Sequence, residues 1–132
     1  IMTTGHAVSA PQTIERVVDI FPPHERPLAQ ARLANLIVGV LCQVLVPKVD
    51  GKGRVAAIEV MLATPAVRAL IREGKIYQIP NTMLTQAKLG MVLLDHALVN
   101  LYRKGVITRE AALSYCNDPD EAAKLMGRAE TN

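Results

Sequence analysis

The stretch that decides the fold is GRVAAIEVMLATPAVRALIREGK, residues 53–75. Its first half, RVAAIEVML, predicts a strand. Thr64 and Pro65 then favour a helix start, because the threonine hydroxyl can accept from a free N–H of the first turn and proline lacks the N–H that would stay unpaired there. Gly74 is typical of a helix end, where glycine adopts the left-handed conformation. The stretch therefore predicts a strand that leads directly into a short helix.

The predicted helix has an apolar face and a charged end. Its apolar residues recur at helical spacing and are expected to be buried: Val67, Leu70 and Ile71. Arg68 and Arg72 lie one turn apart and form a basic ridge on another face. Because Gly74 is expected to stop the helix, we expect Arg72, Glu73 and Lys75 to be exposed together at its end.

Upstream of this stretch, the pattern predicts two helices and a hairpin. Residues 13–21 have helical periodicity, and residues 27–38 form a second candidate helix. Residues 39–46 are continuously apolar, which is typical of a strand buried on both faces. The turn residues 50–53, with the sequence DGKG, predict a hairpin between this strand and residues 54–62. The second helix is expected to bury a set of apolar residues that continues into the strand: Leu33, Leu36, Ile37 and Val40.

Downstream of the decisive stretch, the periodicity is almost wholly helical. Residues 81–88 form a short helix candidate, and Thr108 can cap a helix over residues 109–116. Asp118 can cap another over residues 122–128. Between them lies a longer helix with a wide apolar stripe: Leu94, Ala97, Leu98, Leu101 and Tyr102. The last third of the chain is therefore expected to form a small helical bundle.

Composition limits the class of protein. The chain has 132 residues, of which 50% are hydrophobic and only 3% aromatic, so one helix-rich core is expected. The net charge of +3 is dispersed, which gives little support for nucleic-acid binding. The most apolar window, residues 36–46, is too short to span a bilayer. With two cysteines and no signal-peptide pattern the chain is expected to be cytoplasmic, and the absence of a starting methionine indicates an internal fragment.

The sequence lacks the motifs of nucleotide and metal chemistry. A phosphate-binding loop needs closely spaced glycines before a helix, with a lysine and a serine or threonine. Gly51-Lys52-Gly53 lacks the hydroxyl residue and the following helix, so it indicates a hairpin turn. Cys42 and Cys116 are too far apart for a zinc pattern, and His24 and His96 are expected at the surface. We therefore expect no catalytic, cofactor-binding or metal-ligating residue in this segment.

The residues that carry a resemblance to a known family are TGH (residues 4–6), SAPQTIER (9–16), DIFPP (19–23), GRVAAIE (53–59), IREGK (71–75), Gly90-Met91, Asp95 and YRKG (102–105). In these segments the chain resembles the C-terminal part of the type IV pilus retraction ATPases, the PilT-like twitching-motility motors of the type II/IV secretion ATPase superfamily. The resemblance implies an α/β fold, with the distal part of a RecA-like P-loop ATPase domain in residues 1–62. A helical C-terminal subdomain is implied for residues 63–132.

The resemblance also implies a function. The full-length parent is expected to be a hexameric motor that hydrolyses ATP with Mg²⁺ to power pilus retraction and twitching motility, whereas this segment alone should be inactive. Such a motor is cytoplasmic and peripheral at the inner membrane, where it meets the pilus platform or the pilus base. In the family, the Ile-Arg-Glu helix is associated with retraction rather than with nucleotide chemistry. A retraction or interaction motif is therefore implied at Ile71, Arg72, Glu73 and Lys75.

Two alternatives remain at this stage. One is a pilus-extension or type II secretion ATPase, although many of these carry a four-cysteine zinc insertion that this chain lacks. The other is a non-enzymatic helical adaptor that binds a partner through residues 68–75. A phosphate-binding loop upstream of Ile1 would distinguish a motor from an adaptor.

One departure from the family concerns the start of the chain. In the family, the Thr-Gly-His segment leads through a strand into a Thr-Leu-His-Thr-Asn motif near the nucleotide, and only then into the Gln-Thr-Ile helix. Here Val8 is followed directly by Ser9. Either the protein has a true deletion or the sequence omits a loop. We favour the omitted loop, because deletion of the connection between the strand and the helix would damage the fold. His6 is therefore not assigned the role of the family histidine.

Overall fold

The computed structural model of the chain describes residues 9–130. Within that range the chain forms α1 (Ala10–Asp19), α2 (Arg26–Leu36), β1 (Gly39–Pro47), β2 (Arg54–Leu62), α3 (Pro65–Arg72), α4 (Ile79–Thr85), α5 (Leu94–Arg103), α6 (Arg109–Tyr115) and α7 (Pro119–Glu130). Short 3-10 turns occupy Pro23–Glu25, Ile76–Gln78 and Ala87–Leu89. The Val8–Ser9 junction and the TGH segment of residues 4–6 lie outside the described residues.

The two strands form the predicted hairpin. They pair antiparallel in continuous register, from Gly39 opposite Leu62 to Pro47 opposite Arg54. In the turn, the carboxylate of Asp50 accepts a hydrogen bond from the Lys52 N–H at 2.8 Å. The hairpin and its turn are therefore confirmed as local consequences of the DGKG sequence.

The prediction that β1 is buried on both faces was wrong. Cys42 and Val46 are buried, but Leu41 is 74% exposed and Leu45 is 45% exposed. Within the described residues, helices cover only one face of the hairpin, so alternate side chains of β1 point away from the core. A continuous apolar run carries no alternation that could reveal this arrangement.

The first two helices differ from their predicted bounds. α1 begins at Ala10 because the Ser9 hydroxyl caps it, accepting from the Gln12 N–H at 3.2 Å. α2 ends at Leu36, since Ile37 already has an extended backbone. Leu36 was expected to be buried, but it is 77% exposed because it lies on the last turn, facing away from the packed side of α2.

The interior consists of two clusters of buried side chains, one at each end of the hairpin. The first cluster joins α1 to α4 with the far end of β2: Ala10, Ile14, Ala34, Met61, Val67, Ile71, Ile76, Ile79, Met83 and Met91. The second cluster joins α5, α6 and α7 with the turn end of the hairpin: Val46, Ala57, Leu94, Leu98, Val99, Ile107, Ala112, Ala122 and Met126. The domain boundary expected after residue 62 stays a prediction, and the packing groups α3 and α4 with residues that precede it.

The caps predicted for α6 and α7 are confirmed, although α7 begins at Pro119 rather than at residue 122. The Thr108 hydroxyl accepts from the Ala111 N–H at 3.0 Å, and the Asp118 carboxylate accepts from the Glu121 N–H at 3.2 Å. On α5, Leu94 and Leu98 of the predicted stripe are buried, together with Val99. Among residues 9–130, no helix is long and apolar enough to cross a membrane.

Candidate functional site

The end of α3 is built as the sequence predicts. The Thr64 hydroxyl accepts from the Val67 N–H at 3.4 Å and so caps the start of the helix. At the other end, Gly74 has φ +74°, and the Lys75 N–H reaches back to the Leu70 carbonyl at 2.8 Å. This 6→1 bond closes the last turn in the manner of a Schellman motif. The position of the residues around Gly74 is therefore fixed by the backbone.

The structure divides the predicted interaction motif into a buried residue and three surface residues. Ile71 is fully buried in the first cluster, so it anchors α3 and is not available to a partner. Arg72, Glu73 and Lys75 are exposed. The Lys75 ammonium lies 3.7 Å from a Glu73 carboxylate oxygen, which makes a surface ion pair.

The basic ridge of α3 lies against the end of α2. The Arg68 guanidinium donates to the Ala34 carbonyl at 2.6 Å, and the Arg72 guanidinium donates to the Asn35 side-chain oxygen at 3.3 Å. Carbonyls of the last helical turn lack helical partners and carry partial negative charge, which explains why a cation is favoured there. Arg68 is therefore largely a structural link between the two helices, whereas Arg72 still has exposed surface.

A cleft of about 200 Å³ adjoins this helix end, between α1, α2 and the turn after α3. Glu15, Asp19 and Arg26 line one side of it, and Gly74 and Tyr77 line the other. Asp19 and Arg26 approach within 4.0 Å of each other, and Tyr77 is 73% exposed. We call Arg72, Glu73, Lys75 and Tyr77 the α3-end surface. It contains an arginine and a tyrosine, two residue types that are enriched at protein interfaces.

Glu59 is the one buried charged residue among residues 9–127, and it was not predicted from the sequence as a site residue. It is 1% exposed. Its carboxylate accepts from the Leu94 N–H at 2.9 Å and also from the Ala10 N–H. Burial raises the pKa of Glu59 above its ordinary value, and the charge of Asp95 adds to the rise, while the two backbone N–H groups oppose it. The available signal was a single glutamate among apolar residues in RVAAIEVML, at a position that alternation places on the same face as Ala57 and Met61.

The described residues do not fit ATP or Mg²⁺. The glycine turn at residues 51–53 leads into a strand rather than a helix, so it offers no cradle of helix N–H groups. The N-termini of α1 and α5 are already occupied by the Glu59 carboxylate. Among the side chains of residues 9–127, no group of three or more histidine, cysteine, aspartate or glutamate residues could hold a metal. No step of nucleotide chemistry is therefore derived from these residues.

Comparison with known sequences identifies relatives over most of the chain, although no family model matches it. The chain is 42% identical over 120 residues to the type IV pilus retraction ATPase PilT of Pseudomonas aeruginosa, a match covering 91% of this chain and 35% of the relative. It is 41% identical over 112 residues to a twitching motility protein of Neisseria gonorrhoeae, covering 85% and 30%. The chain thus spans about a third of the length of the curated relatives it matches.

The solved structures that resemble the chain include a protein of the same kind as its sequence relatives. The crystal structure of the pilus retraction motor PilT with bound ADP superposes with a TM-score of 0.78 at 36% identity, covering 88% of this chain and 32% of that one. The ATPase DotB of Legionella pneumophila superposes with a TM-score of 0.65 at 23% identity, covering 81% and 29%, which supports the fold alone. These matches confirm the predicted α/β fold class. The chain belongs to the family of the type IV pilus retraction ATPases, of whose length it spans about a third.

Proposed function

We propose that this chain is the C-terminal part of a motor ATPase that powers pilus retraction and twitching motility, and that its α3-end surface transmits force to a partner. The relatives that match along nearly the whole chain are named for pilus retraction and twitching motility. A solved structure with a closely similar fold is a retraction motor with ADP bound. The proposal also assigns ATP and Mg²⁺ to another part of the intact motor and expects this segment alone to be inactive, because its sequence contains no phosphate-binding loop motif.

The observation that carries the proposal is the contrast between the buried residue of the motif and its exposed charged residues. Ile71 is buried and Gly74 closes the helix, so the backbone beneath the motif is rigid. Glu73 and Lys75 form an exposed ion pair with each other, and such pairs contribute about 0–1 kcal/mol to folding. The fold thus needs Ile71, but it needs little from the charges of Glu73 and Lys75. A rigid base with exposed charged groups is suited to docking through charge-assisted hydrogen bonds.

The partner and assembly follow from the same proposal. The intact motor is a hexamer, and nucleotide-driven rotation of its domains moves the α3-end surface against a neighbouring subunit or the inner-membrane pilus platform. This places the motor in the cytoplasm, peripheral to the inner membrane. Arg72, Glu73 and Lys75 offer donors and acceptors of both signs, so the partner surface also carries both signs of charge.

The two alternatives have weaker support. A pilus-extension or secretion ATPase would share the fold, but the relatives at 41–42% identity are named for pilus retraction and twitching motility. A non-enzymatic adaptor could use the same surface. It would not explain why the chain matches ATPases over 91% of its length.

The test is a double substitution in the intact motor, Arg72→Ala with Glu73→Ala. We expect the melting temperature and the ATPase rate to remain nearly unchanged, while twitching motility is lost, because docking depends on the removed groups and the fold does not. A matched control removes two exposed charges at other helix ends, Lys104→Ala with Glu110→Ala, and should leave all three measurements unchanged.

Each other outcome of the double substitution has a defined meaning. Normal twitching would contradict force transmission through this surface. A large fall in melting temperature would show that Arg72 is needed structurally through its bond to Asn35. A lost ATPase rate with an intact fold would instead connect the surface to nucleotide turnover.

A further inference from the structure

Glu59 lies where the two packing clusters of the protein meet. One carboxylate oxygen accepts from the N–H of Ala10, the first residue of α1, and the other accepts from the N–H of Leu94, the first residue of α5. Ala10 belongs to the first cluster and Leu94 to the second. A single buried side chain therefore contacts the start of one helix in each cluster.

The chemistry of the two helix starts suits an ionised carboxylate. The N–H groups of a first turn have no helical partner and carry partial positive charge, so each start favours an anion. A carboxylate provides two acceptor oxygens and no donor, and can serve both starts at once. A glutamine side chain of the same shape has one acceptor oxygen, and its NH₂ group would face an N–H donor.

α5 depends on this contact more than α1 does. α1 has its own cap, because the Ser9 hydroxyl accepts from the Gln12 N–H. α5 is preceded by Leu93, whose side chain cannot accept a hydrogen bond, so no local side chain caps the helix. The nearby Asp95 carboxylate is turned to the N–H groups of Asn117 and Asp118 instead. Glu59 therefore supplies from β2 the cap that the local sequence of α5 lacks.

The surroundings hold Glu59 in place. Cys42 is its direct partner across the hairpin, and the Cys42 sulfur lies 3.7 Å from the Thr13 hydroxyl of α1. The titratable groups near the carboxylate are Asp95 on α5 and the Cys42 thiol on β1. No basic side chain forms an ion pair with Glu59 among the described residues, so the two helix starts are the partners that compensate its charge.

We propose that Glu59 is a positioning residue that couples the two packing clusters, fixing the start of α1 relative to the start of α5 through one carboxylate. A displacement or loosening of one helix start is passed to the other because both bonds end on the same rigid group. This inference does not depend on the proposed function, and it concerns a residue outside the α3-end surface.

Amide hydrogen exchange of the intact chain tests the coupling. Ser9→Ala removes only the local cap of α1, and we expect it to raise exchange at the Leu94 amide as well as at α1, by about fivefold. The matched control is Thr64→Ala, which removes the cap of α3 within the same first cluster but has no link to Glu59. It should leave exchange at Leu94 unchanged.

Glu59→Gln provides the second arm. With one acceptor oxygen, only one of the Ala10 and Leu94 amides should keep its protection, and the effect of Ser9→Ala on Leu94 should disappear. An equal loss of exchange protection at the Ala10 and Leu94 amides would overturn the proposal. It would also be overturned if Ser9→Ala still raised exchange at Leu94 in the Glu59→Gln variant. If the glutamine variant fails to fold, hydrogen exchange at Leu94 in Ser9→Ala and Thr64→Ala tests the proposal without it. Unchanged exchange at Leu94 in Ser9→Ala, or an equal rise in both variants, would overturn the proposal.

Discussion

At the scale of single residues, Glu59 makes the stability of the protein depend on pH. Burial is the main reason that its pKa in the folded protein lies above the ordinary value of 4.5. The folded state therefore binds a proton at a pH where the unfolded chain does not, and this group favours folding more as the pH falls. We therefore compare the wild type with Glu59→Gln. The free energy of unfolding of the wild type should increase relative to that of the variant as the pH falls from neutral towards 4.5, and the difference should then level off.

Chemical denaturation at a series of pH values measures this difference. A difference that falls on acidification would show that the bonds to the Ala10 and Leu94 N–H groups lower the pKa of Glu59 by more than burial raises it.

Residues differ in how far the sequence reveals their role. Thr64 and Thr108 cap helices through N–H groups three residues away, so their roles could be predicted from local patterns. The partners of Glu59 lie 35 and 49 residues away in sequence. Nothing in the local sequence indicates that two distant helix starts meet at this side chain. For the same reason the bond from Arg72 to Asn35 could not be predicted, whereas the exposure of Arg72 at a helix end could.

At the scale of secondary-structure elements, the end of α3 depends on the left-handed conformation of Gly74. With φ at +74°, any L-residue here is strained, although the nearest atoms to an added methyl group belong to the Gln30 side chain at 3.6 Å, an ordinary contact. We expect Gly74→Ala to destabilise the protein by about 1–2 kcal/mol, from backbone strain alone.

Gly127→Ala is the matched control for this substitution. Gly127 lies within α7, and none of the described atoms would approach an added methyl group within 4 Å. Alanine there should stabilise the helix by about 0.5–1 kcal/mol. Urea denaturation of both variants should therefore give changes of opposite sign, and a neutral Gly74→Ala would show that the turn relaxes without strain.

The buried face of a helix could be predicted better than that of a strand, and the reason is physical. A helix such as α5 buries one apolar stripe, so the periodicity of its sequence predicts which face is buried. β1 is apolar on both faces, so its sequence could not distinguish a strand buried on both faces from one buried on a single face. In the structure Leu41 and Leu45 are on the exposed face. The end of α2 was missed because apolar residues continue past Leu36 into the strand without a breaking residue.

At the scale of the whole molecule, the hairpin connects the two clusters. Met61 enters the first cluster from β2, while Val46 and Ala57 enter the second from the turn end. The sequence predicted the elements and a single core, but the division of the core depends on which helix packs at which end of the hairpin. That choice is made by long-range contacts such as those of Glu59.

Leu98 on α5 tests whether these clusters unfold together. It is fully buried in the second cluster, so Leu98→Ala should lower the free energy of unfolding by about 2–5 kcal/mol. Leu41→Ala is the control, because Leu41 is 74% exposed and its removal should change stability by less than about 0.5 kcal/mol. Since the hairpin and Glu59 join the clusters, we expect one cooperative thermal transition in both variants. A separate transition that Leu98→Ala leaves in place would show that the first cluster unfolds independently. An unchanged melting curve would instead contradict the burial of α5.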